Sequence, residues 1–180
     1  MRTIAMPVLL DLCTGSGAIP IARLHSLSTL TAYGVDISEK ALEYARKNAK
    51  LNGVESRLTL SVADVMDKGF YTSNIFFDVI TCNPPYIPTG DIALLDKSVQ
   101  DFEPISALDG GADGLDFYRF ISENALSSLK DGGSLIFEVG IGQATDVAEI
   151  MKRHGYVSVA IQKDYSGIER VVTGEKRRLS

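Results

Sequence analysis

Val8-Leu9-Leu10-Asp11-Leu12-Cys13-Thr14-Gly15-Ser16-Gly17 decides the fold. The first part is an apolar run of strand length holding one acid, and Cys13 to Gly17 supply small residues and two glycines for a tight turn. Residues 18 to about 27 then continue as a helix, with Pro20 tolerable only in its first turn. Strand, glycine-bearing turn and helix in that order open a βαβ unit.

The pattern repeats outward from that stretch. Residues 29–35 read as a second strand, and Ser38 as the N-cap of a helix on which Ala41, Leu42, Ala45 and Ala49 recur at helical spacing before the stop at Asn52-Gly53. Leu58, Leu60 and Val62 alternate as a third strand, and residues 76–81 form a fourth, an apolar run interrupted only by Asp78. From Asn83 to about Gly114 the chain carries four of its six prolines, too long a stretch for a neutral connection. A helix over 115–130 is expected to stop at Asp131-Gly132-Gly133, followed by a strand at 134–139, a helix at 144–153 and strands at 157–163 and 169–173. Only residues 164–168 separate the last two strands, so they are expected as an antiparallel pair. The prediction is an α/β fold with a mostly parallel seven-stranded sheet and an antiparallel C-terminal strand.

Length and composition bound the function. A chain of 180 residues, 45% hydrophobic and 23% charged, can bury one sizeable core and is short for two ordinary domains, so residues 1–180 are expected to form a single domain. No apolar run approaches the roughly 18 to 20 residues of a bilayer span. The short stretch 4–10 after Arg2, broken at Pro7, is no export signal, and a cytoplasmic protein without a membrane partner is expected. A formal charge of −5 has the wrong sign for an affinity built on neutralising phosphates, which disfavours nucleic acid as a partner. Cys13 and Cys82 lack CxxC spacing and the chain has two His, so no metal site is expected. Both cysteines end strands expected to be neighbours, and buried thiols are expected of them.

Four features map to the carboxyl ends of the strands, where open doubly wound sheets bind ligands. In the turn at Cys13 to Gly17, glycines let a ligand approach the backbone and helix N–H groups face it; the plain alternative is a tight turn. The third glycine of a dinucleotide fingerprint is replaced by Pro20, and no Gly-Lys-Ser/Thr completes a phosphate-binding loop. Asp36 follows Gly17 by nineteen residues, the position of a carboxylate that accepts ribose hydroxyls; otherwise it caps the helix at Ser38. Asp64, just past the third strand, can accept from an exocyclic amine such as that of adenine, or be a surface acid.

Asn83-Pro84-Pro85-Tyr86 is the most informative tetrapeptide. Two prolines fix φ, remove two donors and hold the preceding residue extended. The Asn83 side-chain oxygen and the Pro84 carbonyl can then receive both hydrogens of a planar –NH₂ group, with Tyr86 stacked on its π-system. A rigid turn after a strand is the alternative. Phe102, Leu108, Phe117 and Phe120 read as core, while Glu138 and the loop aspartates read equally well as substrate holders or solvated surface.

These residues resemble the catalytic domain of the HemK/PrmC family, S-adenosylmethionine-dependent methyltransferases that modify the glutamine side-chain amide of peptide chain release factors. The resemblance covers nearly the whole chain: DLCTGSGAI at 11–19, DIS at 36–38, NPPYIP at 83–88 and FEPISALDGGADGLDFYR at 102–119. NPPY is shared with methyltransferases of nucleic-acid exocyclic amines. The segment from Glu103 to Leu115, and Glu138-Val139-Gly140 with Gln143, resemble the glutamine-methylating branch. The resemblance implies a Rossmann-like class I fold and S-adenosyl-L-methionine as cofactor. It implies cofactor contacts from Asp11, Cys13, Thr14, Gly15, Gly17, Asp36, Ile37, Asp64, Val65 and Asn83. It further implies catalysis by Asn83, Pro84 and Tyr86, and substrate contacts from these three and Pro85.

Two departures stand out. Cys13 replaces the first glycine of the family's cofactor loop, and family members begin with a small helical domain, whereas this sequence starts close to the first strand. The readings left are an isolated catalytic domain, a shortened form, or a stand-alone relative that uses a separate docking domain or partner protein. Three competing functions also stay open: a nucleic-acid amino methyltransferase, a catalytically impaired cofactor-binding module and, with least support given Pro20, a dehydrogenase.

Overall fold

Strands joined through helices return to the same end of a sheet and so pair in parallel, whereas a five-residue turn permits only antiparallel pairing. Both outcomes are seen in the computed structural model, which describes residues 6–96 and 104–178. Strands β1 (Val8–Leu12), β2 (Thr31–Asp36), β3 (Leu58–Val62), β4 (Phe77–Cys82), β5 (Leu129–Glu138), β6 (Val157–Lys163) and β7 (Glu169–Glu175) form one sheet in the order β3-β2-β1-β4-β5-β7-β6. The pairs from β3 to β5 are parallel, and β7 lies antiparallel between β5 and β6. This is the mostly parallel seven-stranded sheet expected, with strand bounds shifted by two residues at most except at the start of β5, which lies five residues earlier than expected.

Helices α1 (Ala18–Ser26) and α2 (Glu39–Leu51) cover one face, and α3 (Asp116–Asn124) and α4 (Ala144–Arg153) the other. Alternation along β1 feeds both layers. Leu9 packs with Ile21, Leu24 and Ala49, while Leu10 and Leu12 join Ile80, Phe137, Tyr118, Ile121 and Val147. Ser38 caps α2, its hydroxyl accepting from the Ala41 N–H at 3.2 Å, and Asn52 ends it. Phe117 and Phe120 are partly buried against the larger core, and Leu108 is half-buried. Phe102 lies outside the described residues. No described helix is long and apolar enough to cross a membrane.

The helix expected over 115–130 is corrected. It ends at Asn124, a 3-10 turn (Ala125–Ser128) follows, and β5 already begins at Leu129, so Asp131-Gly132-Gly133 sits within a strand. Leu126 and Leu129 keep helical spacing, but pairing wins: Leu129 is fully buried opposite Phe77, and the ladder resumes at Val79 with Ser134. Residues 130–133 form a bulge held by β7's end, where the Gly132 N–H donates to the Lys176 carbonyl at 3.0 Å and Lys176 N–H to Gly133 at 2.8 Å.

That bulge explains Asp78, the acid in an apolar run. Its Oδ2 accepts from the Val8 N–H at 2.8 Å and from Lys130 Nζ at 2.7 Å, tying the start of β1 to the bulge. The Asp78 side chain is 12% exposed and that of Lys130 42%, so the pair is only partly screened. Asp78→Ala is expected to lower stability by about 1 to 3 kcal/mol. Urea unfolding followed by circular dichroism reads this as a lower midpoint with unchanged slope; an unmoved midpoint rejects the role of the carboxylate.

Candidate active site

Sheet order reverses between β1 and β4, so the turns after β1, β2, β3 and β4 meet at one edge. Asp11, one residue from the end of β1, is 1% exposed. Its Oδ2 accepts from the Thr14 hydroxyl at 2.6 Å and its Oδ1 from the Thr81 hydroxyl at 2.5 Å. Thr14 lies in the turn, and Thr81 is Asp11's register partner on β4. Burial pushes the Asp11 carboxyl up to about 6 against the opposing effect of the two hydroxyls, with a smaller upward push from Asp36. Asp11 therefore lies beneath the turn as its anchor.

The turn itself is tied to β2. The Thr14 N–H donates to Val35 at 2.9 Å, and the Gly15 N–H donates to Asp36 Oδ2 at 2.8 Å. Asp36 Oδ1 accepts from the Ser38 N–H at 2.9 Å. Asp36 thus does cap the entry to α2, yet each oxygen keeps a lone pair for a further donor. A Cβ built on Gly15 would meet nothing within 4 Å, so the turn's outer surface is open to a ligand. Gly17 is different: its φ is +80°, and a Cβ there would lie 3.0 Å from Ile21 and 3.2 Å from Ala45, so this position is closed by α1 and α2.

Cys13 adopts a left-handed φ of 54°, a conformation natural to glycine. The half-buried Cys13 lies near the buried Cys82, and burial above all, with the neighbouring Cys13 thiol adding to it, pushes the Cys82 thiol well up, keeping it neutral. Both cysteines are free. Ile37 is exposed, Asp64 is exposed with Oδ1 accepting from the Met66 N–H at 2.8 Å, and the Val65 side chain is packed in the core.

Asn83 follows β4 directly and is exposed, Pro84 and Pro85 are buried, and Tyr86 is half-buried. Among the described residues the Asn83 side chain and the Pro84 carbonyl make no hydrogen bond. The loop beyond folds back on itself: Ile87 N–H donates to Leu108 and Gly110 N–H to Ile87, each at 2.9 Å. Its aspartates organise it. Asp109 accepts from the Thr89 hydroxyl at 2.7 Å and the Gly111 N–H at 3.0 Å, and Asp113 pairs with Arg119.

Two residues brace Tyr86: Gln143, which the resemblance picks out without a role, and Arg170, which the sequence does not mark. Gln143 Nε2 donates to the Tyr86 carbonyl at 2.9 Å, and the Arg170 guanidinium lies 5.9 Å from the Tyr86 ring centroid. Arg170 also pairs with Glu138 at 3.2 Å, and the neighbouring Tyr86, ahead of the charge on Glu138, favours its protonated form. Seeing this needs the antiparallel register of Glu138 against Val171, which local sequence does not show. Among the described residues no three His, Cys, Asp or Glu side chains gather as a metal site.

Residues 6–169 match the family model described as a methyltransferase domain. The chain is 40% identical over 170 residues to the release factor glutamine methyltransferase of Thermodesulfovibrio yellowstonii, covering 94% of this chain and 60% of that protein. To the enzyme of the same name from Agrobacterium fabrum it is 42% identical over 165 residues, covering 92% and 56%. The chain thus spans a little over half the length of these relatives. A methyltransferase structure from Pyrococcus furiosus superposes with a TM-score of 0.69 at 18% identity, covering 96% of this chain and 76% of that one. The catalytic domain of hMettl16, solved with an RNA hairpin, gives 0.70 at 16% identity, covering 93% and 63%. The fold is that of class I methyltransferases.

The Asp11 carboxyl has a directional consequence. Its folded-state value of about 6 lies above the ordinary 3.8, so the folded protein binds this proton more tightly than the unfolded chain. Its contribution to stability is full below about 4 and is lost as the pH rises through about 6. The span corresponds to about 3 kcal/mol. Asp11→Asn is expected to gain on the wild type by about that amount between pH ~4 and ~7. Urea titrations across this range check it, and parallel stability profiles would refute it.

Proposed function

The chain belongs to the methyltransferase-domain family, and from that premise we propose that it transfers the methyl group of S-adenosylmethionine to the side-chain amide nitrogen of a protein glutamine, that of the Gly-Gly-Gln motif of a peptide chain release factor. The observation that carries this reading is the pair of neutral acceptors at the end of β4, the Asn83 side-chain oxygen and the Pro84 carbonyl, neither engaged among the described residues. Side by side they suit the two hydrogens of a planar amide –NH₂. The names of the relatives support glutamine as its source.

The residues at the switch point fit the cofactor. Gly15 leaves open space over the turn, Asp36 keeps lone pairs for ribose hydroxyls, and Asp64 stands at the end of β3 for an adenine amine. Ile37 is exposed beside them, while Cys13, Thr14, Gly17 and Val65, whose side chains or Cβ positions turn inward, would offer main chain to the cofactor, with Asp11 anchoring the turn from below. Bound there, S-adenosylmethionine supplies a methyl carbon made electrophilic by a positively charged sulfur.

The amide nitrogen is a poor nucleophile because its lone pair is delocalised into the carbonyl. By accepting both N–H hydrogens, Asn83 and Pro84 favour a more pyramidal nitrogen and aim its lone pair at the methyl. Tyr86 stacks on the amide plane, and Pro85 keeps the loop from adapting to other shapes. As nitrogen gains its new bond, its protons become acidic and one leaves to water, so no basic side chain is needed. Residues 1–180 act as one catalytic domain in the cytoplasm, and a docking domain or partner protein positions the release factor.

The test is calorimetric titration with S-adenosylmethionine, then mass spectrometry of a release factor incubated with enzyme and cofactor. One added methyl on the Gly-Gly-Gln glutamine is the expected result. Absence of cofactor binding, or methyl incorporation into RNA offered in competition, overturns the reading. Asn83→Ala, which loses one acceptor, is expected to reduce turnover by about 10² to 10³ while cofactor binding persists. Unchanged turnover in that variant removes Asn83 from the mechanism.

A further inference from the structure

We infer that Gln143 is a positioning residue that locks the Asn83–Tyr86 loop in its working geometry through three hydrogen bonds to three separate segments. The inference rests on the methyl-transfer reading and deepens it. Nε2 donates to the Tyr86 carbonyl at 2.9 Å, after β4, and to the Gly114 carbonyl at 3.4 Å, ahead of α3. Oε1 accepts from the Gly140 N–H at 3.0 Å, after β5. Two carbonyls and one N–H face the amide, so only this orientation satisfies all three groups.

Packing closes the arrangement. A Cβ on Gly114 would lie 2.7 Å from Gln143 Nε2 and closer still to the Tyr86 carbonyl oxygen. A Cβ on Gly140 would lie 2.5 Å from Gln143 Oε1 and 3.0 Å from the Tyr86 ring. The loop's backbone thus rests against two glycine surfaces with the glutamine amide between them. The base of the amide is equally fixed, because Gln143 is the residue entering α4 and its own N–H donates to the Gly140 carbonyl at 3.1 Å.

The acceptors cannot be held from their own side. Pro84 and Pro85 have no N–H, so the tetrapeptide cannot brace itself with local hydrogen bonds. Tyr86 is its first residue with a polar brace, and that brace comes from Gln143. A glutamine is required rather than an acid: at neutral pH a glutamate would accept from Gly140 but oppose two carbonyl oxygens with a negative charge. Protonated, it regains one donor and one acceptor and can restore the bonds to Tyr86 and Gly140.

The experiment compares wild type, Gln143→Ala and Gln143→Glu. Hydrogen–deuterium exchange at Tyr86, Ile87, Gly114 and Gly140 is expected to quicken by about tenfold or more in the Ala variant, with α1 and α2 unchanged. Methyl transfer is expected to lose about 10² in kcat with the KM for S-adenosylmethionine unchanged, as for a misplacement of reacting groups. The Gln143→Glu rate, divided by the wild-type rate at each pH, is expected to recover at least tenfold as the pH falls from about 8 to about 5.5. Unchanged exchange, a flat pH ratio, a loss shared equally by cofactor binding, or a loss that follows collapse of the circular dichroism each overturns the inference. A wild type without turnover sinks the methyl-transfer reading instead, and the exchange comparison then decides the brace by itself.

Discussion

A carboxylate cut off from water must find its hydrogen bonds within the protein, and Asp11 finds them on both sides of the sheet's reversal point. One oxygen takes the Thr14 hydroxyl from the turn it precedes, the other the Thr81 hydroxyl from the neighbouring strand. With its pairing to β2 and β4, this fixes where β1 ends and where the turn begins. Gly15 then reaches Asp36 at the end of β2, and Cys13 packs against the core cluster that holds Cys82 at the end of β4. The candidate site is the set of groups that these few polar contacts leave facing outward.

Its two halves are held by different means. The turn after β1 is secured from below by side chains and a main-chain ladder, and its outer face is bare. The Asn83–Tyr86 loop has prolines in place of donors, so its stiffness is covalent and its bracing is borrowed from the far half of the sheet: Gln143 at the head of α4, and Arg170 on β7 with Glu138 on β5. The antiparallel insertion of β7 between β5 and β6 is what brings Arg170 over Tyr86. A strand that looks remote from the chemistry is therefore part of its scaffold.

Local sequence was enough wherever a residue's role is decided by near neighbours. The strands β1 and β6, the cap at Ser38 and the helix Ala144–Arg153 follow from periodicity and punctuation, and both the α/β class and the antiparallel end were legible. Legibility failed where long-range pairing competes with local pattern. Leu126 and Leu129 keep helical spacing, yet Leu129 is drawn into β5 by Phe77, and the glycines read as a helix stop serve a bulge. Asp78 reads as an interruption until Val8, 70 residues before it, and Lys130, 52 residues after it, supply its partners. At the site, the acidic residues and the NPPY loop were visible as residues, whereas the Gln143 and Arg170 contacts exist only once three segments are brought together.

Cys13 shows how such a network absorbs a departure from pattern. A side chain in left-handed backbone costs roughly 1 to 2 kcal/mol, the reason this place in the turn suits glycine. Cβ nonetheless carries a thiol that packs against the larger core, the cluster that also holds Cys82, directly before Asn83. The cysteine therefore adds packing that glycine could not make, between the turn after β1 and the core beneath the sheet. Burial of a small apolar side chain offsets part of the conformational cost. Gly15, whose open face the ligand would need, remains glycine, so the strain is placed at the position that faces the core and kept away from the one that faces the crevice.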